Sequence, residues 1–460
     1  MKILHYSLGL PPYRSGGLTK YSCDLMEEQV KQGEDVFLLF PGVIKIISKK
    51  NSNIKFYKNY RGIQVYELIN PLPVPLLNGI SNPAEFCKSI DKKVFKQFLE
   101  KNKIDIVHIH TFMGLYKEFF EACKELNIKT VYTTHDYFGI CTRVNFVDNY
   151  GNLCNEREIE KCIRCNSCGY SLRYIKILQS SSYRYIKNRG IIPKIKKILV
   201  NIKKNNVNNT KTLLKDKDSK EIIVDKNEYE QLMAYYASMY ENIDKFIFNS
   251  TLSKEIYSRY FNANGDVISI THSDIKDNRV KKSYDGEVLR LTYLGPFKAY
   301  KGFNLLMDVM KELNQEDGIN IKLTTYGDTV KLEENIGNVN IKGKYTYDDL
   351  KGIFEKTDLL IVPSIWNETF GFIVLEGLSH GVPVMVTDKV GSKDLLINEA
   401  DKKFGIVTSV CKDEIVNHIK QIKNNKDILV EFNKNILDNP FEYDLVSHYI
   451  SVKKLYNDLN

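Results

Sequence analysis

No stretch of this 460-residue sequence approaches the roughly 20 consecutive apolar residues that a membrane-crossing helix needs. The start, MKILHYSLGLPPY, lacks the long apolar core and small-residue cleavage site of a secretory signal. Both absences predict a cytoplasmic protein, whose nine cysteines are then mostly reduced or metal-bound rather than disulfide-paired. Acid is missing from one long segment. Between Lys161 and Lys215 there is no Asp or Glu, against 14 Lys and Arg. With a net charge of +9 overall, the remainder of the chain carries −5, so one segment makes the protein basic. What is present is ordinary for a globular protein: 43% hydrophobic and 27% charged residues. The length is too great for one ordinary core, which predicts two or three domains.

Along the chain, short apolar runs alternate with amphipathic stretches. KILHYSL, DVFLLF, DIVHIH and KTVYTTH read as strands. LTKYSCDLMEEQVKQG, AEFCKSIDKKVFKQFLEKN and YKEFFEACKELN read as the helices between them, the first stopped by Gly33. A Cys-rich and then basic segment, about 141–215, interrupts this rhythm as an insertion; DKFIFNS and TLSKEIYSRYF resume it. A polar stretch follows, and a second alternation starts at LRLTYLG. The pattern predicts an α/β protein with parallel sheets covered on both faces. We divide it into a domain over 1–271, a linker over 272–288, a domain over 289–440, and a final amphipathic helix over 441–460 that is expected to cross back to the first domain. Ligands of such sheets sit beyond the carboxyl ends of the strands, here in a cleft between two halves.

The stretch SIWNETFGFIVLEGLSHGVPV places two glutamates eight positions apart around an apolar helix start. DLLIVPS is a buried strand, and Asn367 is the expected N-cap of the helix that follows. Free N–H groups at Thr369, Phe370 and Gly371 suit an anion such as a diphosphate, and Gly371 lets the backbone approach it. Glu376, mid-helix among apolar residues, needs a partner, which ribose hydroxyls would supply. Glu368, in the loop, can meet a sugar hydroxyl of the same ligand. The plainer alternative is that Glu368 favours the helix N-terminus and Glu376 pairs with a lysine.

With its Pro-Ser lead-in and the Gly-x-Pro-Val strand beyond, this stretch resembles the E-x7-E motif of retaining glycosyltransferases of family 4. LTYLGPFKAYKGFNLLMDVM resembles the family's Gly…Lys-Gly segment, KLTTYGD its strand and glycine turn beneath the nucleotide, SGGLTKYSCDL its N-terminal Gly-Gly loop and TTHDYFGICTR its His-Asp segment. The resemblance implies a GT-B fold, two Rossmann-like domains facing across a cleft. It implies transfer of a sugar from a nucleotide-diphosphate donor with retention at the anomeric carbon, generally without a metal. On this pattern Lys301, and the N–H groups near Thr369–Gly371, would stabilise the diphosphate leaving group. His135 would stand near the reacting sugar, and Asp136 would orient it or the acceptor. Gly16 and Gly17 would let their loop approach the phosphates or acceptor, and Gly327 would lie beneath the nucleotide. Taken outside the motif, His135 reads as a strand-end cap and the glycine pair as a simple turn. Two departures stand out: Pro296 occupies the place of the family's frequent arginine, with Lys298 two residues on as substitute charge. Gly391, Ser392 and Asp394 replace a Gly-Gly pair and a Glu.

CIRCNSC overlaps two C-x2-C units, with Cys154 and Cys141 upstream. Thiolates so spaced can hold one structural Zn²⁺. Members resembling this chain imply the set Cys141, Cys154, Cys162 and Cys165; the alternative takes Cys168 instead of Cys141. Free thiols or an iron–sulfur cluster are the other readings. The basic stretch LRYIKILQSSSYRYIKNRGIIPKIKKILVNIKK fits two amphipathic helices broken near Gly190–Pro193, either lying on an anionic membrane surface or forming a solvated hairpin. No recognition motif points to nucleic acid. The expectation is a glycosyltransferase, peripheral on the inner membrane face, acting on a glycan or lipid-linked acceptor. A nucleotide-sugar 2-epimerase of the same fold and a zinc-stabilised nucleic-acid-binding module are the rivals.

Overall fold

The computed structural model describes residues 1–45, 51–77, 79–191, 225–315, 320–328 and 336–459. Two sheets organise it. The first holds strands β1 (Lys2–Tyr6), β2 (Asp35–Pro41), β3 (Asn53–Tyr60), β4 (Ile63–Ile69), β5 (Ile106–Ile109), β6 (Lys129–Thr133), β7 (Lys245–Phe248) and β8 (Gly265–Val267) in the order 3-4-2-1-5-6-7-8. The second holds β9 (Leu289–Leu294), β10 (Ile321–Tyr326), β11 (Val339–Gly343), β12 (Leu359–Val362), β13 (Val384–Thr387) and β14 (Gly405–Thr408) in the order 11-10-9-12-13-14. All neighbours are parallel except β3 and β4. Central strands of parallel sheets are covered on both faces, and their sequences accordingly read as near-continuous apolar runs.

The β3–β4 hairpin caps one edge of the first sheet. Its turn places Arg61 and Gly62 both at positive φ, 51° and 87°, which suits a two-residue connection between twisted antiparallel strands. The helix expected from Ala84 starts at Lys93 instead. Pro83 opens a single 3-10 turn, and the Asp91 carboxylate accepts the Lys93 N–H at 2.9 Å, which fixes the later start. A helix at Lys226–Tyr240, capped by Asp225, buries Tyr229, Tyr236 and Tyr240 against the first sheet's core.

Residues 141–191 carry three short helices, Ile159–Asn166, Leu172–Leu178 and Ser181–Asn188. They are tied to the first sheet's loops: the Gln179 side chain accepts the Val74 N–H at 2.8 Å, and Asn166 Oδ1 accepts the Ile80 N–H at 2.7 Å. The basic stretch beyond 191 lies outside the described residues. The Leu445–Leu459 helix packs Val452, Leu455 and Tyr456 onto Ile3, Ile106 and Val131 of the first sheet. No helix among the described residues is long and apolar enough to cross a membrane.

Candidate active site

The loop after β12 is built by close backbone approaches. Ile365 N–H bonds to the Tyr300 carbonyl at 2.9 Å, Glu368 N–H to Lys389 O at 2.8 Å, and Gly391 N–H to Glu368 O at 2.9 Å. These pairings hold residues 365–371 out of the helical conformation, so the helix begins at Phe372 with Gly371 (φ 107°) as its N-cap, not at Asn367. Any side chain at residue 302 would place its Cβ 1.7 Å from the Pro363 carbonyl oxygen, which explains the glycine after Lys301. Lys301 Nζ thereby reaches Glu368 Oε1 at 2.5 Å, while Ser364 Oγ donates to Oε2 at 3.0 Å. The ammonium also lies 5.1 Å from the centre of the Trp366 ring.

Glu376 lies one helical stretch further on and is only 4% exposed. Its Oε1 is 3.6 Å from His272 Nε2, too long for a hydrogen bond, and its Oε2 has no partner among the described residues. No lysine pairs with it there. Burial, and then the negative charge of Glu376, push the Tyr345 and Tyr347 hydroxyls upward in pKa. A buried carboxylate oxygen without a donor is expensive, and it is the kind of exception that marks a ligand position.

The first sheet's loops meet this segment directly. Thr369 Oγ1 donates to the His135 carbonyl at 2.9 Å, and Ser250 Oγ donates to the Thr369 carbonyl at 2.8 Å. Thr251 donates to Asp394 through both its N–H (2.6 Å) and its hydroxyl (2.7 Å). Asp394, the departure noted in the sequence, therefore joins the two halves. A Cβ on Gly17 would stand 3.4 Å from the Phe372 ring, so the glycine loop reaches the helix that carries Glu376. Gly16 (φ 116°) is the N-cap of the Gly17–Lys31 helix and faces open space.

Burial pulls His135 down to about 3, with His448 adding to the effect, so the ring is neutral. Burial pushes Asp136 up to about 7, partly opposed by the Phe138 N–H that its Oδ1 accepts at 2.9 Å. His135, Glu368, Thr369, Gly371, Lys301 and Gly17 are thus brought together. Lys298 is exposed, with no side-chain partner among the described residues. Gly327 acts as a spacer: a Cβ there would lie 2.0 Å from the Gly295 carbonyl oxygen.

The cysteines form a looser group. Cys141, Cys154 and Cys162 pack against the first sheet's core; burial raises Cys162 to about 11 and Cys165 to about 12, and Cys141 and Cys154 push both further the same way. Cys168 is exposed and lies 3.8 Å from the Arg143 guanidinium. Among the described residues, however, the ligating side chains drawn within 4.8 Å of one another are those of His5, His108 and His110. In VHIH the alternation along a strand marks one of His108 and His110 as core and points to no catalytic role, and no spacing groups them with His5 or singles out Ser364, Ser250 or His272. The sheet adds what the spacing lacks: His5 on β1 pairs in register with His108 on β5.

Two family models match the chain: glycosyl transferases group 1 over residues 274–438 and glycosyltransferase family 4 over residues 15–156. An uncharacterized glycosyltransferase of Methanocaldococcus jannaschii is 22% identical over 241 residues, 47% of this chain and 66% of that protein. The chain spans between about a quarter and two thirds of the curated relatives it matches. Among solved structures, sucrose-phosphate synthase from Thermosynechococcus elongatus matches with a TM-score of 0.54 at 13% identity, over 100% of this chain and 98% of that one. HepE of Anabaena, in complex with UDP and glucose, matches with a TM-score of 0.52 at 13% identity over 100% of both chains. These likenesses establish the fold, two Rossmann-like sheets in the GT-B arrangement.

Proposed function

This chain belongs to the glycosyl transferases of group 1, and on that premise we propose that it moves a sugar from a nucleoside-diphosphate sugar to a glycan or lipid-linked acceptor, with retention at the anomeric carbon. The observation that carries the reading is the buried Oε2 of Glu376, without a partner among the described residues and eight positions from a glutamate held by Lys301. Glu376 accepts hydrogen bonds from the ribose hydroxyls, which are donors of the right reach and number. The leaving group is a diphosphate, so charge develops on phosphate oxygen. Lys301 and Lys298, which has no side-chain partner among the described residues, supply the countercharge, assisted by the N–H groups at Thr369–Gly371. Glu368 and His135 meet the sugar hydroxyls, and Asp136 lies on the acceptor side. The UDP bound in HepE makes uridine the base to try first. Thermal unfolding with UDP, GDP and ADP tests the site: UDP raises the melting temperature, and no response to any of the three overturns the reading.

We also propose that Cys141, Cys154, Cys162 and Cys165 hold a structural zinc ion, supported by their shared neighbourhood. A tetrahedral thiolate site would offset the burial that otherwise disfavours their charged forms. Fewer than about 0.2 zinc ions per chain, purified without chelator, rejects it. We further propose that the chain meets a lipid-linked acceptor at an anionic membrane surface. The Leu172–Leu178 and Ser181–Asn188 helices expose Tyr174, Ile177 and Tyr185 beside Arg173, Lys176 and Arg189. Each basic group there contributes about 1 kcal/mol near anionic lipid. Equal failure to co-sediment with anionic and neutral vesicles rejects it.

A further inference from the structure

Beneath His135 runs a continuous file of buried polar groups. His135 Nε2 lies 3.1 Å from His110 Nδ1, His110 Nε2 lies 2.9 Å from His5 Nδ1, and His5 Nε2 lies 2.7 Å from Gln29 Oε1. From Gln29 a second branch leaves through Tyr456: Gln29 Nε2 is 3.3 Å from the Tyr456 hydroxyl, which is 2.6 Å from His108 Nδ1. His108 Nε2 ends that branch on Thr133 Oγ1 at 2.6 Å. All six ring nitrogens of His5, His108 and His110 therefore have partners. That argues against a metal among them, although their geometry is tight enough for one.

We infer that Gln29, acting through His5 and His110, fixes the tautomer of His135, so that the protein presents Nδ1 of His135 to the donor sugar as a hydrogen-bond acceptor. The inference rests on the reading of His135 as a sugar contact. Its steps follow from counting protons. Burial holds His5, His110 and His135 far below the usual imidazole range, so each ring carries one proton. In a file of neutral imidazoles every bond must point the same way, and one end sets the direction. The distances orient the Gln29 amide. A separation of 2.7 Å suits His5 Nε2–H donating to an amide oxygen, and 3.3 Å is too long for a tyrosine O–H donating to that oxygen but tolerable for an amide N–H donor. The Tyr456 proton then goes to His108. Working back from Gln29, His5 Nδ1 accepts from His110 Nε2–H, and His110 Nδ1 accepts from His135 Nε2–H. His135 Nδ1 is left with its lone pair. It has no partner among the described residues, and it is not among their fully buried polar atoms. Gln29 and His110 are positioning residues here, since neither touches the donor.

The test is ¹⁵N NMR of the histidine-labelled full chain without ligand, with His135 assigned by the loss of its signals in His135→Asn. The proton is expected on Nε2. Gln29→Glu, an obligate acceptor, retains that tautomer. Gln29→Met removes the acceptor, moves proton density to Nδ1 and lowers kcat about tenfold, the scale of one neutral hydrogen bond, with KM for the donor little changed. A wild-type proton on Nδ1 overturns the inference, and so does a Gln29→Met chain whose His135 tautomer is unchanged, whatever happens to its rate. The tautomer is read on the ligand-free chain, so its failure is distinct from a failure of nucleotide binding.

Discussion

Replacing Glu376 by methionine should change stability and ligand response in opposite directions. Methionine is close in size to glutamate but carries no carboxylate. The side chain is 4% exposed and one oxygen has no partner among the described residues, so the free protein bears the desolvation of an unsatisfied group. That penalty is about 1–3 kcal/mol for a neutral acceptor and more for a charged one. Removing it should raise the melting temperature of the ligand-free protein by about 2–4 °C per kcal/mol for a domain of this size. With UDP at about 100 times its Kd, the wild-type protein should gain about 2.7 kcal/mol, and the variant should gain almost none. The assay is a pair of thermal unfolding curves for each protein, with and without UDP. A Glu376→Met chain that melts lower than wild type without ligand, yet keeps the full UDP shift, refutes the reasoning. Glu376 would then be a structural carboxylate and the donor would lie elsewhere.

Lys301→Met should lower kcat/KM for the donor by about 10²–10³, the cost of removing one preorganised charge from a developing oxyanion; steady-state transfer rates check this. Gly17→Leu should leave the unfolding transition close to wild type but abolish transfer, because the new side chain meets the Phe372 ring that a Cβ would already approach at 3.4 Å; comparing melting with rate separates the two. Acid should unfold the protein early. Burial holds His5 and His448 near 4 against a usual 6.5, so the unfolded rings take up protons below 6.5 while the folded ones stay neutral. Their stabilisation is fully present above 6.5 and is lost as pH falls towards 4, at about 1.4 kcal/mol per pH unit for each ring. Asp136, raised to about 7, works the other way but is one group against several. Urea midpoints at about pH 7 and about pH 5 measure the balance, and a midpoint that does not fall on acidification contradicts it.

The parts of this molecule that were legible in the sequence are those whose cause is local. The apolar runs of β1, β5, β6, β9 and β12 had the length and residue types of buried strands. Lys301-Gly302 and the Glu368–Glu376 pair were visible as spacings. What was missed depends on partners distant in sequence. Asn367 reads as an N-cap, but the pairing of Glu368 with Lys389 and of Gly391 with Glu368 keeps that loop out of the helix up to Gly371. The β3–β4 hairpin escaped because Arg61-Gly62 is an unusual carrier of its turn. The polar file under His135 joins residues 5, 29, 110, 135 and 456, and no spacing rule brings those together.

The Leu445–Leu459 helix seats Val452, Leu455 and Tyr456 against the first sheet, whose strands end near residue 267. Synthesis therefore delivers the cover of that sheet long after the sheet itself. At about 5–20 residues per second, the nearly two hundred intervening residues take about 10–40 s to emerge from a ribosome. Throughout that interval Ile3, Ile106 and Val131 present an uncovered apolar face on a nascent chain. Tyr456 is also absent, so His108 and Gln29 wait for one of their partners. The second half of the polypeptide is thus translated while the first is still open, and the order of synthesis sets when the first half can close.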